Sequence, residues 1–174
     1  MDAIEAVVRE HGVAGLSIEA VARAAGISKS SVVYDFNSKN ALLAAFVQKR
    51  LERKYDELER VTEAYAGQPD AFLQGMLTQC TQSPSDEDIS CAMAITTSFS
   101  DDNTCRELMG ASFKSDLERV TQEASDPGRA RLAWAALHGL MSLEYLGFYR
   151  FPPEERRQLL ADIASLVSAS SPST

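Results

Sequence analysis

From Leu43 to Tyr65 one face of the sequence recurs at helical spacing: Leu43, Val47, Leu51, Tyr55, Leu58, Thr62 and Tyr65, with no glycine or proline before Gly67. That pattern predicts a helix of about 28 residues, roughly 42 Å long. One small core cannot enclose such a rod, so in a chain of 174 residues it must link two packing units. The remaining chain is also helical in pattern. No segment alternates apolar and polar residues long enough to predict a half-buried strand, and no internal repeat stands out. The expected fold is all-α with about nine helices: an N-terminal domain of three short helices, the long connecting helix, and a larger helical domain. The expected boundaries are 1–48, 49–168 and a disordered Ser-rich tail at 169–174.

Ahead of the long helix, the punctuation is dense. Ile4, Val7 and Val8 share a face of a first helix that stops before Gly12. Ser17 is placed to cap a second helix whose buried face is Ile18, Val21 and Ala22. Ala25-Gly26 ends it, and glycine tolerates the left-handed backbone that a tight turn needs. Ser28 caps a third helix running from Lys29 to about Tyr34, and Ser38 caps the long one. Helix, glycine turn and short capped helix make a helix-turn-helix. The first residues of its second helix, Ser28, Lys29, Ser30 and Ser31, are small or basic, as suits a helix entering the major groove.

The same segment resembles the DNA-binding domain of the tetracycline-repressor (TetR) family of bacterial transcriptional regulators. The matching pieces are Ala24-Ala25-Gly26-Ile27-Ser28-Lys29 and Phe36-Asn37-Ser38-Lys39, followed by Ala41-Leu42-Leu43. The resemblance covers about residues 3–48. It implies that Ser17 and Lys39, at helix N-termini, meet phosphate. It also implies that Lys29, Ser30 and Ser31 reach phosphates or base edges, and that Tyr34 donates to a phosphate. Where the family commonly has Leu-Tyr-x-x-Phe, this chain has Val32-Val33-Tyr34-Asp35-Phe36. Val33 can then touch a thymine methyl but cannot bind phosphate, and Asp35 is expected to point away from the DNA. The chain starts close to its first helix, so the basic arm that many members lay in the minor groove is expected to be missing. The implied partners are double-stranded operator DNA, a small-molecule effector and a second copy of the chain.

Beyond Gly67 the chain resembles the family in layout only. Apolar stripes predict helices around Phe72–Cys80, around Ile89, Met93 and Thr96, and along Cys105, Met109, Phe113, Leu117 and Val120. Asp126-Pro127 opens a helix that is apolar nearly all round from Leu132 to Leu146, and is therefore expected to be covered on more than one side. Pro152-Pro153 opens the last. Candidate pocket residues are Phe72, Met76, Met93, Phe113, Trp134, His138, Met141 and Tyr145. Each is equally well placed as a core residue. Candidate dimer contacts are Leu137, Leu140, Leu159, Ile163 and Leu166.

Charge is divided along the chain. Residues 1–54 hold 8 Lys/Arg and 6 Asp/Glu, a balance of +2, whereas residues 55–174 hold 9 and 19, a balance of −10. An acidic whole with a slightly basic start suits two jobs in one chain. No nucleophile elbow, P-loop or zincin motif is present, so an enzyme is not expected and no cofactor or metal is called for. Neither a membrane-spanning run nor a secretory signal is legible, and three cysteines without a C-x-x-C spacing suit a cytoplasmic protein. The expected function is a ligand-responsive repressor that binds a pseudo-palindromic operator as a homodimer, with the long helix as lever. The alternatives are a dimeric ligand-binding or protein-interaction module without specific DNA binding, and a thiol-switched regulator acting through Cys105.

Overall fold

The computed structural model describes residues 1–100 and 103–168, so the expectation for the tail at 169–174 lies outside the described residues. Among those residues there are nine α-helices and no strand. They are α1 (Asp2–His11), α2 (Ile18–Ala25), α3 (Lys29–Asp35), α4 (Lys39–Thr62), α5 (Ala71–Gln79), α6 (Asp86–Thr97), α7 (Thr104–Glu123), α8 (Pro127–Tyr145) and α9 (Pro153–Ser168).

The chain divides into two compact units. The first comprises Met1–Arg53 and Asp86–Ala111; the second comprises Lys54–Ser85 and Ser112–Thr174. The connecting helix α4 contributes to both. Its stripe is inward as expected: Leu43, Val47, Leu58 and Thr62 are buried, and Leu51 and Tyr55 half-buried. It is shorter than expected, 24 residues, because the chain tightens into a 3₁₀ turn at Glu63–Tyr65 before Gly67 takes φ 78°.

In the first unit, Ile4, Val7, Leu16, Val21, Val32, Leu42 and Phe46 form the core that holds α1 to α4 together, and Cys91 and Cys105 join it. The sequence assigned all of 49–168 to a second domain, yet α6 packs with the N-terminal helices. The face of α6 that turns inward carries Cys91, Ala94 and Ile95; Met93 and Thr96 are exposed and Ile89 only half-buried. On a helix with so little amphipathic contrast, the local pattern does not fix which face packs inward.

The core of the second unit is Leu58, Phe72, Leu73, Met76, Val120, Ala133, Leu137, Ile163 and Val167. Helices α8 and α9 pack against each other. A buried ion pair fastens them: Arg156 Nε donates to both carboxylate oxygens of Glu144, at 3.0 and 3.1 Å. The same guanidinium donates to the carbonyls of Thr81 and Gln82, at 2.9 and 3.0 Å, and so ties the segment after α5 to the hairpin. Each of the three guanidinium nitrogens has an acceptor, and such pairing is the condition for a buried charge to be tolerated.

The α7 stripe is corrected by the structure. Cys105 and Val120 are buried, but Phe113 is 38% exposed, while Ser112 and Asp116 are buried. Tyr55 explains the change. Its hydroxyl lies 2.7 Å from Ser112 Oγ and donates to Asp116 Oδ1 at 2.6 Å, so a polar pair replaces apolar packing at the middle of α7.

Candidate nucleic-acid interface

Helix α2 begins where Ser17 Oγ accepts from the Ala20 amide, and it ends at Gly26, which adopts φ 65° and ψ 29°. That left-handed residue turns the chain without a Cβ penalty. Helix α3 then starts at Ser28, whose hydroxyl accepts from the Ser31 amide at 3.1 Å. The same oxygen lies 2.9 Å from Ser30 Oγ and 2.8 Å from Ser31 Oγ, so three hydroxyls cluster over the first turn. Ser38 Oγ accepts from the Ala41 amide and starts α4.

Helix α3 buries a single side chain, Val32, against the core. Lys29, Ser30, Ser31, Val33, Tyr34 and Asp35 all face solvent. Tyr34 is 91% exposed, Val33 42%, and Ile27 in the turn 50%. A large aromatic ring held fully in water on a well-anchored helix adds no burial to the core.

Two lysines expected at DNA already have partners within the chain. Lys29 Nζ donates to Glu19 Oε1 on α2 and holds that carboxyl below the usual range. Lys39 Nζ donates to the Ala14 carbonyl at 3.1 Å. Both ammonium groups are exposed and retain further donors. Ser17 and Ser28 use their oxygens as caps. Thus the structure brings Ser28, Lys29, Ser30, Ser31, Val33 and Tyr34 together on one short helix, with Ser17 at the start of α2 and Lys39 at the start of α4.

The candidate pocket residues separate. Phe72 and Met76, at 1% and 3% exposure, are core residues of their own unit, and Met93 is an exposed residue of the first unit. Phe113, Trp134 and His138 do assemble: the Trp134 and His138 rings are 4.5 Å apart, and Phe113 lies edge-on to both at 6.5 and 5.1 Å. Met141 follows them along α8, with Cys80 Sγ 3.4 Å from its sulfur, and Tyr145 is half-buried. Burial, with Lys54 adding, pushes His138 down to about 4, so the ring is neutral; Asp116 opposes the shift weakly. An open cleft of about 520 Å³ lies elsewhere, lined by Glu59, Glu63, Arg119 and Glu123 among others, and by none of the expected pocket residues.

The candidate dimer contacts divide by burial. Leu137, Leu140 and Ile163 are buried in their own chain and Leu159 is half-buried, leaving Leu166 at 36% exposure. What α8 leaves open is Leu132, at 64%, and Leu143, at 41%. The sequence could not separate these because every face of α8 is apolar. It also missed Asp116, Glu144 and Arg156, although an acid inside an otherwise apolar helix, as at Glu144, is a legible signal of a buried partner.

Two family models match the chain. Residues 59–168 match the tetracyclin repressor-like C-terminal domain, and residues 1–46 match the bacterial regulatory proteins of the tetR family. The chain belongs to the tetR family of bacterial regulators. No curated protein sequence matches it significantly. Solved structures share the fold of the family over nearly the whole chain. One from Streptomyces coelicolor A3(2) superposes with a TM-score of 0.72 at 21% identity, covering 97% of this chain and 95% of that one. A TetR transcription regulator from Haloarcula marismortui gives 0.67 at 18% identity, covering 97% and 94%. A third, from Saccharomonospora viridis and in complex with choline, gives 0.68 at 16%, covering 94% and 92%. At these identities the likeness is one of fold. Family and fold are those of transcriptional regulators, and among the described residues no helix is long and apolar enough to cross a membrane.

Proposed function

We propose that the chain is a cytoplasmic, ligand-responsive repressor that binds a pseudo-palindromic operator as a homodimer. The observation that carries the DNA-binding part is α3: six of its seven side chains face solvent, with Tyr34 fully outward, on a helix anchored through Val32 alone. Ser30, Ser31, Lys29 and Val33 supply donors and one apolar contact for base edges and phosphates. The Lys29–Glu19 pair is exposed, and exposed pairs are worth little, so phosphate can compete for the ammonium.

Self-association rests on the leucines that α8 leaves in water, Leu132 and Leu143, together with Leu166 on α9. A short helix with few basic residues also needs two linked half-sites for useful affinity. Responsiveness to a small molecule is supported by the aromatic and polar cluster on α7 and α8, and by the fold neighbour that holds choline. The effector acts only through its preference for one conformation.

Selection of bound sequences from random duplex DNA at moderate salt tests this. A pseudo-palindrome is expected, with Lys29→Ala and Tyr34→Ala each weakening binding about tenfold or more without loss of fold. A folded dimer that enriches no sequence would favour an interaction module without specific DNA binding.

A further inference from the structure

Among the described residues, five buried side-chain polar atoms have no hydrogen-bond partner, and three of them lie in one cluster: Asp116 Oδ2, Trp134 Nε1 and His138 Nε2. Asp116 is 1% exposed, and its other oxygen is taken by the Tyr55 hydroxyl. Trp134 and His138 stand one helical turn apart on α8, and Phe113 closes the group from α7. A folded chain rarely leaves one such atom orphaned, because each costs the desolvation of a polar group. Trp134 Nε1 and His138 Nε2 have no partner at all, and Asp116 Oδ2 has only an ion pair with Lys54, so all three stand beside aromatic rings with hydrogen-bonding capacity to spare.

The charges and donors specify that ligand. Asp116 Oδ2 lies 3.7 Å from Lys54 Nζ without a hydrogen bond, so the site holds one negative and one positive group. An organic cation would meet Lys54, and an organic anion would meet Asp116; neither gains from the site as a whole. Asp116 Oδ2 accepts only, so it calls for a hydroxyl or N–H. The Trp134 indole N–H donates only, so it calls for a carbonyl or ether oxygen. The rings of Phe113, Trp134 and His138 offer edges and faces to a flat apolar body. We propose that Asp116, Trp134 and His138 form the effector site and that it takes an uncharged planar aromatic molecule bearing a hydroxyl donor at one end and a carbonyl acceptor at the other. The inference rests on the ligand-responsive reading above and gives its chemical class.

Trp134 is the single tryptophan of the chain, so its emission reports on this site directly. Three probes share a phenol and differ in charge: methyl para-hydroxybenzoate is neutral, para-hydroxybenzoate anionic and tyramine cationic. Each is titrated into the full chain, read by Trp134 fluorescence and by calorimetry. The neutral probe is expected to bind with a saturable emission change, and the two charged probes about tenfold more weakly or worse. Asp116→Asn and His138→Phe are each expected to weaken the neutral probe about fivefold or more. The second keeps the aromatic wall should the first not fold. Charged probes that bind as tightly as the neutral one would overturn the proposal, as would a neutral probe that gives neither heat nor a saturable emission change at millimolar concentration. Operator binding is measured separately. A chain that binds DNA but no probe loses the site alone, and one that binds the probe but no DNA loses the regulator reading alone.

Discussion

Single side chains set where α2 and α3 begin. Ser17 and Ser28 are both occupied caps. Replacing either with alanine is expected to cost about 1 kcal/mol, seen as a lower urea midpoint with an unchanged slope. The Ser28 variant should also lose operator affinity, because its oxygen gathers the hydroxyls of Ser30 and Ser31. Tyr55 is a different case. Burial first, and then its bond to Asp116, push its hydroxyl up to about 12, so it remains a donor at every working pH. Tyr55→Phe leaves Asp116 with one fewer donor and is expected to destabilise by about 1–3 kcal/mol. His138 carries the clearest pH signature. Its ordinary value is 6.5, and burial holds it near 4 in the folded chain. As pH falls from 6.5 toward 4 the unfolded chain takes up a proton that the folded chain refuses. Stability is therefore full above the upper value and declines across that window. The loss is expected to reach about 2 kcal/mol, after allowing for solvent around a ring that is only partly buried. His138→Gln should flatten that part of the difference curve against wild type, measured by urea midpoints at successive pH values.

At the scale of elements, two contacts join helices within the second unit. Gly75 on α5 faces the end of α4 so closely that a Cβ built there would lie 2.2 Å from Thr62 Oγ1 and 3.3 Å from the Thr62 Cα. Gly75→Ala would gain up to about 1 kcal/mol of helix propensity but is expected to lose about 1–3 kcal/mol net to overpacking. Thr62→Ala in the same chain should recover part of that loss, and a double-mutant cycle of chemical denaturation measures the coupling. The Glu144–Arg156 pair joins α8, α9 and the segment after α5. Arg156→Met leaves Glu144 buried and unpaired and is expected to cost about 3–5 kcal/mol, which for a chain of this size approaches unfolding at room temperature. Element limits were legible where a cap or breaker is written in the sequence, as at Ser17, Gly26, Ser28 and Asp126-Pro127. They were not legible at the end of α4. Its stripe runs on through Tyr65, while the backbone tightens at Glu63, directly after Thr62 meets Gly75 of α5.

For the whole molecule, the division of charge bears on how it would meet DNA. With a slightly basic start and an acidic remainder, operator affinity is expected to fall steeply between low and moderate salt, in proportion to the phosphates contacted. Fluorescence anisotropy of a labelled operator across a salt series checks this, and a flat response would remove phosphate contact as the source of affinity. Self-association is expected to fail when Leu132 and Leu143 are both changed to glutamate. Sedimentation should then give a monomer with unchanged helicity, because neither side chain lies in the core of its own chain.

Local chemistry determined much of this protein. Caps, a left-handed glycine and the spacing of apolar residues are properties of short segments, and they sufficed for the all-α class, the helix-turn-helix and the family resemblance carried by Gly26 through Lys39. Tertiary structure decided which faces of the later helices turn inward. Helices α6 and α8 offer similar apolar character on several sides, so their burial depends on what approaches them. Cys91 rather than Met93, and Leu137 rather than Leu132, are enclosed for that reason. The same holds for Asp116 and Glu144. A carboxylate can be buried only where other helices bring donors to it, here Tyr55 and Arg156, and no local pattern says which residues those will be.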